Sequence, residues 1–285
     1  MWDKLDREYS EQLREENLDA MQQMYDEEVA KKSYYIASCS CGRDSIAMVL
    51  MLILRKYPLN EIVFYTNGMD FEPIYRNWEK IRKLAAEKGI KCTTLKSSKP
   101  FLYSVFEGPH KGKHDGIIRY GYGWCGGFCR WGTHEKLVVL DKHCEAREAF
   151  VYIGIAADEV HRIPDKPYKI HPLKTWGMTE SDCLAFAREN GFDWEIKSRD
   201  GLATVDLYDI LDRVSCWCCA NKNQWELYNI WYYLPDYWAA LKEMQEKIGT
   251  PFKRGKYGYT IHQIEERFKN GYVPKHRAKS KNRKK

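Results

Sequence analysis

The fold is decided by one stretch, Ser33-Tyr34-Tyr35-Ile36-Ala37-Ser38-Cys39-Ser40-Cys41-Gly42-Arg43-Asp44-Ser45, and by the apolar run over residues 46–54 that follows it. Residues 33–38 predict a buried strand, residues 39–45 a tight turn and residues 46–54 a helix. In open α/β sheets, ligands bind beyond the carboxyl ends of the strands, and a turn into a helix presents backbone N–H groups to a phosphate. The stretch therefore predicts either a phosphate-binding loop or an ordinary strand-to-helix loop with Asp44 as a helix cap.

Four residues of this loop suit a phosphate ligand. Ser40 and Ser45 offer hydroxyl groups, and Gly42 permits close approach of the backbone. Arg43 carries a planar guanidinium that can bind two phosphate oxygens at once. These residue types favour the phosphate-binding interpretation over the ordinary loop.

Strands and helices continue to alternate beyond the loop. Residues 61–65 predict a strand, 73–88 a helix, 90–95 a third strand and 150–155 a later strand. This order means parallel strands joined by crossover helices, so the predicted fold class is α/β with a doubly wound parallel sheet. Residues 100–149 form a long excursion between two of these strands, and such excursions usually carry function.

Four segments are predicted along the chain. Residues 1–30 form an N-terminal amphipathic helix, and residues 31–175 form the α/β domain that contains the phosphate loop. Residues 176–270 form a helical C-terminal region with metal-ligand cysteines, and residues 271–285 form a basic flexible tail. The N-terminal helix is expected to pack on the body or on a second subunit, and the second arrangement would make the protein a homodimer. In the C-terminal region, residues 179–190 and 224–247 predict helices, the first with a capping box formed by Thr179 and Asp182.

Charge is distributed unevenly. The sequence has 46 Lys and Arg against 40 Asp and Glu, for a formal net charge of +6. The segment from Lys275 to Lys285 is rich in Lys and Arg and contains no acid, so the basic balance comes largely from one end. This tail has the composition of a phosphate-binding arm for nucleic acid, or of a solvated terminus that aids solubility.

The expected compartment is the cytoplasm, with no membrane partner. No apolar run approaches the roughly 20 residues needed to span a bilayer, and residues 1–6 lack the pattern of a signal peptide. The ten cysteines are therefore expected to be thiols or metal ligands rather than disulfides.

Five of these cysteines cluster in two places. Cys125 and Cys129 are separated by three residues, while Cys216, Cys218 and Cys219 form a C-x-C-C motif. They supply enough thiolates for a tetrahedral zinc site or a cubane iron–sulfur cluster, and the alternative is that they pack as small core residues among tryptophans. Cys219 is preferred to Cys218 as the fourth ligand because a C-x2-C spacing from Cys216 is the commoner chelate.

Four segments, in order, resemble one family. Ser40-Cys41-Gly42-Arg43-Asp44-Ser45 resembles the S-G-G-K-D-S signature of the PP-loop N-type ATP pyrophosphatases, which have the adenine nucleotide alpha hydrolase-like fold. Residues 66–71, 154–162 and 172–176 are similar to the D-T-G-x-E-F, G-I-R-A-D-E-S-x-x-R and P-L-x-x-W segments of the phosphoadenosine phosphosulfate (PAPS) reductase-like branch of that family. The chain is identified as a relative of this branch.

The resemblance implies which residues form the site. The implied nucleotide-binding residues are Ser38, Ser40, Gly42, Arg43, Ser45, Asn67, Gly68, Asp70, Glu159 and Arg162. Arg43, Asp44 and Asp158 are the implied catalytic residues, with Asp44 orienting the loop or a Mg²⁺ ion. The implied cofactors are ATP or PAPS, Mg²⁺, and a [4Fe-4S] cluster with Zn²⁺ as the alternative; the implied metal ligands are Cys125, Cys129, Cys216 and Cys219, with Cys218 in place of Cys219 as a variant.

The implied function is ATP-dependent sulfur transfer through an adenylated intermediate, with release of pyrophosphate. The acceptor is a nucleic acid or a small molecule, and a sulfur donor protein is a further implied partner. One alternative is a PAPS or adenosine phosphosulfate reductase, which needs a nucleophilic cysteine in a C-terminal motif, yet no cysteine follows Cys219. The other is a non-catalytic nucleotide-binding module with a structural zinc, consistent with Cys41 in place of a signature glycine and Ala156 in place of an arginine.

Overall fold

The computed structural model describes residues 34–112, 115–125, 129–162, 166–197, 201, 204–253 and 258–276, with the backbone alone at residues 131, 132, 160 and 162. The predicted N-terminal helix over residues 1–30 lies outside the described residues, as does most of the predicted basic tail.

In chain order the strands are β1 (Tyr35–Ser38), β2 (Glu61–Thr66), β3 (Lys91–Lys96), β4 (Pro109–Lys111), β5 (Ile118–Tyr120), β6 (Phe150–Ile153), β7 (Lys169–Ile170), β8 (Glu195–Lys197) and β9 (Thr204–Asp206). The α-helices are α1 (Arg43–Leu54), α2 (Glu72–Glu87), α3 (Phe101–Phe106), α4 (Lys136–Glu145), α5 (Pro172–Thr175), α6 (Glu180–Glu189), α7 (Leu207–Ile210), α8 (Gln224–Tyr233), α9 (Pro235–Ile248) and α10 (Ile261–Lys269). A π-helical segment (Arg130–Glu135) precedes α4, and a 3₁₀ segment (Ala157–Arg162) follows β6.

The central sheet has five parallel strands in the order β3-β2-β1-β6-β7. Ala37 in β1 pairs with Ile62 on one side and with Tyr152 on the other. The chain runs outward from β1 to β2 and β3 and then returns to the other side of β1 at β6, so the topological switch point lies between β1 and β6. The predicted doubly wound α/β fold is confirmed.

The strands at the centre of the sheet are apolar because both faces of a parallel sheet are covered. Every residue of β2 is buried, and so are the first three residues of β1 and of β6. Helix α1 packs against α6, and α4 packs against β2 and β3. A small core of buried side chains joins α4 to strands β1, β2 and β6, and it includes Ile36, Val63, Leu140 and Val151.

The chain divides into two compact units. The first contains the described residues up to Thr66 together with Ile74–Lys96 and Lys136–Asp193, and so includes the central sheet and α6. The second contains Asn67–Pro73, Ser97–Glu135 and the described residues from Trp194 onward. Two antiparallel hairpins, β4 with β5 and β8 with β9, belong to this second unit. The predicted division at residues 175 and 176 stays a prediction.

Helix ends follow their local sequence signals. The predicted capping box at α6 is confirmed, since the Thr179 hydroxyl accepts from the Asp182 N–H at 3.2 Å and the Asp182 carboxylate accepts from the Thr179 N–H at 2.9 Å. The predicted helix over residues 224–247 is instead two helices, because Pro235 lacks the N–H that would continue α8 and begins α9. None of the described helices is long and apolar enough to cross a membrane.

Candidate functional site

The loop after β1 lies at the switch point of the sheet. Cys39 continues the ladder by donating its N–H to the Val63 carbonyl at 2.9 Å, and the chain then turns into α1. Gly42 is the N-cap of α1, with φ −82° and ψ 166°, and its carbonyl accepts from the Ile46 N–H at 3.0 Å. The loop therefore delivers the chain to the N-terminus of a 12-residue helix, where backbone N–H groups and the helix dipole favour an anion.

Ser45 holds the loop in shape from inside. Its hydroxyl donates to the Gly42 carbonyl at 3.0 Å, accepts from the Ser40 N–H at 3.1 Å and lies 3.1 Å from the Ser40 hydroxyl. The residue is buried. Ser45 thus fixes the curvature of the loop through three hydrogen bonds, and its predicted contact with a nucleotide stays a prediction.

Cys41 adopts a left-handed backbone conformation, with φ 57°. The PP-loop signature has its first glycine at this position. Cys41 adopts the left-handed conformation that favours glycine, although its Cβ atom makes that conformation costlier. The Cys41 side chain is fully buried, and its sulfur lies 3.8 Å from that of Cys39. The hydrogen bond with the Cys41 thiol lowers the pKa of the Cys39 thiol and outweighs burial, which acts in the opposite direction.

Arg43 is held among carboxylates. Its guanidinium binds Glu180 at 2.6 Å and lies 3.5 Å from Asp44. Carboxylate oxygens of Asp44, Glu159 and Glu180 lie within 4.8 Å of one another. Hard oxygen donors of this kind suit Mg²⁺, so the set fits the magnesium implied by the sequence, with Glu159 and Glu180 joining Asp44.

Glu180 is the residue that sequence reasoning missed. It occupies the first turn of α6, where an acidic residue is common for reasons of helix stability alone, so no local signal marks it. Asp158 is brought to the same place, because its carboxylate accepts from the Glu180 N–H at 3.1 Å. Asp158 therefore ties the segment after β6 to α6, and its predicted catalytic role stays a prediction.

Gly154 brings the segment after β6 against the loop. A Cβ atom at this position would lie 3.0 Å from both Cα and N of Ser45. Glycine is therefore needed here for the close approach of two backbones, and Gly154 is not among the residues with a positive φ. This contact is why two segments far apart in sequence line the same switch point.

A second group of predicted residues comes together in the second unit. The Asn67 side chain accepts from the Met69 N–H at 3.0 Å and donates to the Cys216 sulfur at 3.3 Å. Gly68 has φ 85°, and the Met69 carbonyl accepts from the Trp217 N–H at 3.0 Å. The segment predicted to contact adenosine thus supports the C-x-C-C motif.

The clustered cysteines have hydrogen-bond donors around them. The Arg130 N–H donates to the Cys125 sulfur at 3.3 Å, as the Asn67 amide does to the Cys216 sulfur. Burial, with a smaller contribution from the Asp70 carboxylate, raises the pKa of the Cys216 thiol to about 12. A thiol in such surroundings ionises when a metal takes the proton's place.

The chemistry of the donor set bears on which metal would fit. Cys125, Cys129, Cys216 and Cys219 are free thiols in the structure. Four thiolates suit either a tetrahedral zinc or a [4Fe-4S] cluster. The donor set therefore fits both of the implied groups.

Two lysines lie beside the C-x-C-C motif, Lys222 buried and Lys253 half-buried. Lys222 is 2% exposed, and its ammonium donates to the Ser215 hydroxyl at 3.2 Å. The Lys253 ammonium donates to the carbonyls of Ala220, at 2.5 Å, and of Lys222. Burial lowers the pKa of Lys253 to about 8. Positive charge at this depth suits a site that holds thiolates or another anionic group.

No protein-family model and no curated protein matches the sequence. Among solved structures, the chain is similar to the U34-tRNA thiolase NcsA from Methanococcus maripaludis with its [4Fe-4S] cluster, at 15% sequence identity and a TM-score of 0.39. The match covers 63% of this chain and 66% of that chain, just under two thirds of the thiolase. The doubly wound fold of this chain is defined by its own strand order.

The structure groups the predicted site residues in two sets. The predicted residues of the loop lie with Asp158 and Glu159 in the first unit, whereas Asn67, Gly68 and Asp70 lie with the clustered cysteines in the second. Ser38 ends β1 and directly precedes the loop. Arg162 ends the 3₁₀ segment, and its side chain lies outside what the structure describes.

Proposed function

We propose that this chain is a PP-loop enzyme of the PAPS reductase-like branch that binds ATP at residues 38–45 and uses it to drive sulfur transfer. The observation that carries the proposal is the loop itself, which enters the N-terminus of α1 at the switch point of a parallel sheet, beside Arg43. That arrangement combines backbone donors, a helix dipole and a guanidinium where a triphosphate would lie. The ten cysteines are free thiols in the structure, which is consistent with the proposed cytoplasmic location.

The proposed reaction has two steps. An oxygen of the acceptor attacks the α-phosphorus of ATP, the bond to the β-phosphate oxygen breaks, and pyrophosphate leaves. A sulfur nucleophile then attacks the activated acceptor atom, and AMP leaves with the acceptor oxygen. The chain's contribution to the first step is positioning and charge neutralisation, which are the main sources of catalysis in phosphoryl and adenylyl transfer.

The ion pair of Arg43 with Glu180 has a role in this scheme. At 2.6 Å, the Glu180 carboxylate holds the guanidinium in place. A β- or γ-phosphate would displace the carboxylate, since the bidentate geometry of guanidinium suits both groups. Glu180, Asp44 and Glu159 would then hold Mg²⁺, which supplies neutralisation of the phosphate charge.

Cys125, Cys129, Cys216 and Cys219 are the proposed ligands of a [4Fe-4S] cluster, with Cys218 as the variant fourth ligand. The hydrogen bonds from the Arg130 N–H and the Asn67 amide to sulfur support this assignment, because such donors stabilise cluster thiolates. The ammonium groups of the buried Lys222 and the half-buried Lys253 would offset the negative charge of a thiolate-bound cluster. When bound, the cluster would supply a site that holds sulfur for transfer.

The nucleotide assignment is tested by Arg43→Ala, with Arg82→Ala as the matched control. Arg82 is an exposed arginine paired with Glu79 on α2. Calorimetric titration with ATP and with PAPS is expected to show at least a tenfold loss of ATP affinity for Arg43→Ala only, because a charge-assisted hydrogen bond contributes about 1.5–3 kcal/mol. Unchanged ATP affinity in Arg43→Ala would mean that the loop is not the nucleotide site. Release of sulfite from PAPS in the presence of a reductant would favour the reductase alternative.

The cluster assignment is tested by absorbance and metal analysis of protein purified without oxygen. About four irons per chain are expected for the wild type. Cys125→Ser and Cys216→Ser are expected to lose most of this iron, whereas Cys92→Ser in β3 keeps it. One zinc per chain in place of iron would favour the structural metal site instead.

A further inference from the structure

The second unit contains a cavity of about 580 Å³ that the nucleotide loop does not use. Its wall is built from the end of α3, the segment from Tyr120 to Gly123, the end of α9 and the residues around Lys253. The volume falls within the range of sites for small molecules or single nucleotides.

The charge of the cavity is positive. Lys247 and Lys253 line it, and none of the lining residues that the structure describes is acidic. Lys247 is exposed and lies with its ammonium 5.3 Å from the centre of the Phe106 ring. The Lys253 ammonium donates to the carbonyls of Ala220 and Lys222, which holds its charge at the wall of the cavity. An anion is the ligand that this wall favours.

The two tyrosines of the cavity differ in whether a ring face is open for stacking. The Tyr122 ring is stacked on His110 at 4.1 Å and lies under the Arg130 guanidinium at 4.5 Å, so its faces are occupied. Tyr120, at the end of β5, is 74% exposed. Ile118 on the same strand is 63% exposed. An exposed tyrosine beside a cationic cavity is the arrangement that stacks an unpaired base while lysines bind the adjacent phosphate.

The cavity is also adjacent to the cysteines through shared residues. Gly123 in its wall is two residues before Cys125 in the chain. Arg130 donates its N–H to the Cys125 sulfur and covers Tyr122 with its guanidinium. Lys253 binds the turn that follows Cys219. A ligand in the cavity would therefore be held next to the proposed sulfur site.

We propose that this cavity binds one nucleotide of a single-stranded nucleic acid, with the phosphate at Lys247 and Lys253 and the base stacked on Tyr120. The inference rests on the proposed function, in which the bound strand would be the sulfur acceptor. The cavity is open to solvent, and β5 at its edge is exposed. This favours a nucleotide within a longer nucleic acid over a free mononucleotide, because the nucleic acid on either side of the bound nucleotide needs room to leave the cavity.

The test is fluorescence anisotropy of the full chain with a labelled 12-nucleotide single-stranded RNA, the same sequence as single-stranded DNA, and the duplex. The variants are Lys247→Ala and Tyr120→Ala, and the matched controls are Lys83→Ala on α2 and Tyr232→Ala on α8, both exposed and outside the cavity. Removal of residues 277–285 in each background separates the basic tail from the cavity. Free AMP is added as a competitor.

The expected result is tighter binding of a single strand than of the duplex, with about tenfold weaker binding for Tyr120→Ala and several-fold for Lys247→Ala. Lys247→Ala should also lower the slope of log affinity against log salt by about 0.7. The Lys83→Ala and Tyr232→Ala controls should bind the strand as tightly as the wild type. In the tail-deleted background, the cavity variants should still bind more weakly than the chain with an intact cavity. A preference for RNA or for DNA names the acceptor within the class.

Three results would overturn the inference: no binding of any strand, equal binding by cavity variants and wild type, or full competition by micromolar AMP. The proposed function fails separately, through absent iron or absent pyrophosphate release. If the protein lacks iron but Tyr120→Ala weakens strand binding, the cavity assignment stands and the proposed function fails. If the protein contains iron but binds strands only through its tail, the proposed function stands and the cavity assignment fails.

Discussion

Cys41 shows how a single residue can satisfy a backbone requirement at a cost. A residue other than glycine with φ near 57° loses about 1–2 kcal/mol to contact between its Cβ and backbone atoms. The same side chain is fully buried, which recovers a similar amount. The two effects nearly cancel, and the loop keeps its shape without the signature glycine.

Cys41→Gly is therefore expected to change the free energy of unfolding by less than about 1 kcal/mol. The control is Cys183→Gly, since Cys183 is equally buried but lies inside α6, where glycine brings no relief of strain and costs helix propensity. That variant should lose about 2–4 kcal/mol. Urea denaturation followed by circular dichroism measures both, and equal losses would mean that the backbone at Cys41 is unstrained.

The site residues were predictable to different degrees. Arg43, Asp44 and Glu159 were expected from the resemblance, and the structure brings them together with Glu180. Glu180 was not predictable, because its place in the site depends on the packing of α6 against α1 rather than on any local pattern. Long-range packing of this kind leaves no signature in a window of sequence.

At the scale of elements, strands that are buried on both faces were the easiest to predict. β1, β2 and β6 appear within one or two residues of the predicted positions, because continuous apolar runs between helices are typical of a parallel sheet. The edge strand β3 has no buried residue, and its position follows from the alternation of strands and helices. The three-residue strands of the hairpins were missed. Their burial alternates between exposed and half-buried, as in β8, so they carry little hydrophobic signal.

Gly154→Ala tests whether the contact between the segment after β6 and the loop matters for binding. The added Cβ would meet the Ser45 backbone at 3.0 Å, and neither backbone can yield without moving the N-terminus of α1. We expect ATP affinity to fall by about tenfold, with a loss of stability of about 1–3 kcal/mol.

The control is Gly191→Ala after α6. Gly191 has φ 79° and open space around it, so alanine there strains the backbone without touching the loop. It should cost about 1 kcal/mol of stability and leave ATP affinity unchanged. If both variants lose stability and neither loses affinity, the close approach at Gly154 is only structural. Calorimetry and thermal unfolding of the two proteins supply the comparison.

At the scale of the molecule, different polar groups lie at the two ends of the central strands. The carboxyl ends bear the loop and its carboxylates, whereas the amino end of β2 bears Glu61, which is fully buried. Its carboxylate is bound by five side chains: Tyr34, Lys91, Thr93, His143 and Arg147. The sequence predicted only the first residue of a strand here, since partners from β3, from α4 and from the residues next to β1 and α4 cannot be read locally.

Glu61 should make the stability of the whole fold depend on pH. Burial acts to raise the pKa of its carboxyl, but the hydrogen bond from Thr93 and the charges of His143 and Lys91 outweigh burial and lower it below the ordinary 4.5. The unfolded chain then binds the proton more readily than the folded one. The stabilisation is therefore complete above about pH 4.5 and is lost as the pH falls through the folded pKa.

Glu61→Gln is expected to lower the free energy of unfolding by about 2–4 kcal/mol at pH 7, because it leaves cationic partners beside a neutral amide. Glu79→Gln, in an exposed pair with Arg82, should change it by less than about 0.5 kcal/mol. Urea titrations at pH 7.5, 5.5 and 3.5 follow the difference between wild type and Glu61→Gln. The difference should be smaller at pH 3.5 than at pH 5.5, since protonation then removes the same charge from the wild type. A difference that stays constant to pH 3.5 would mean that packing, not the carboxylate charge, provides the stability at this end of the sheet.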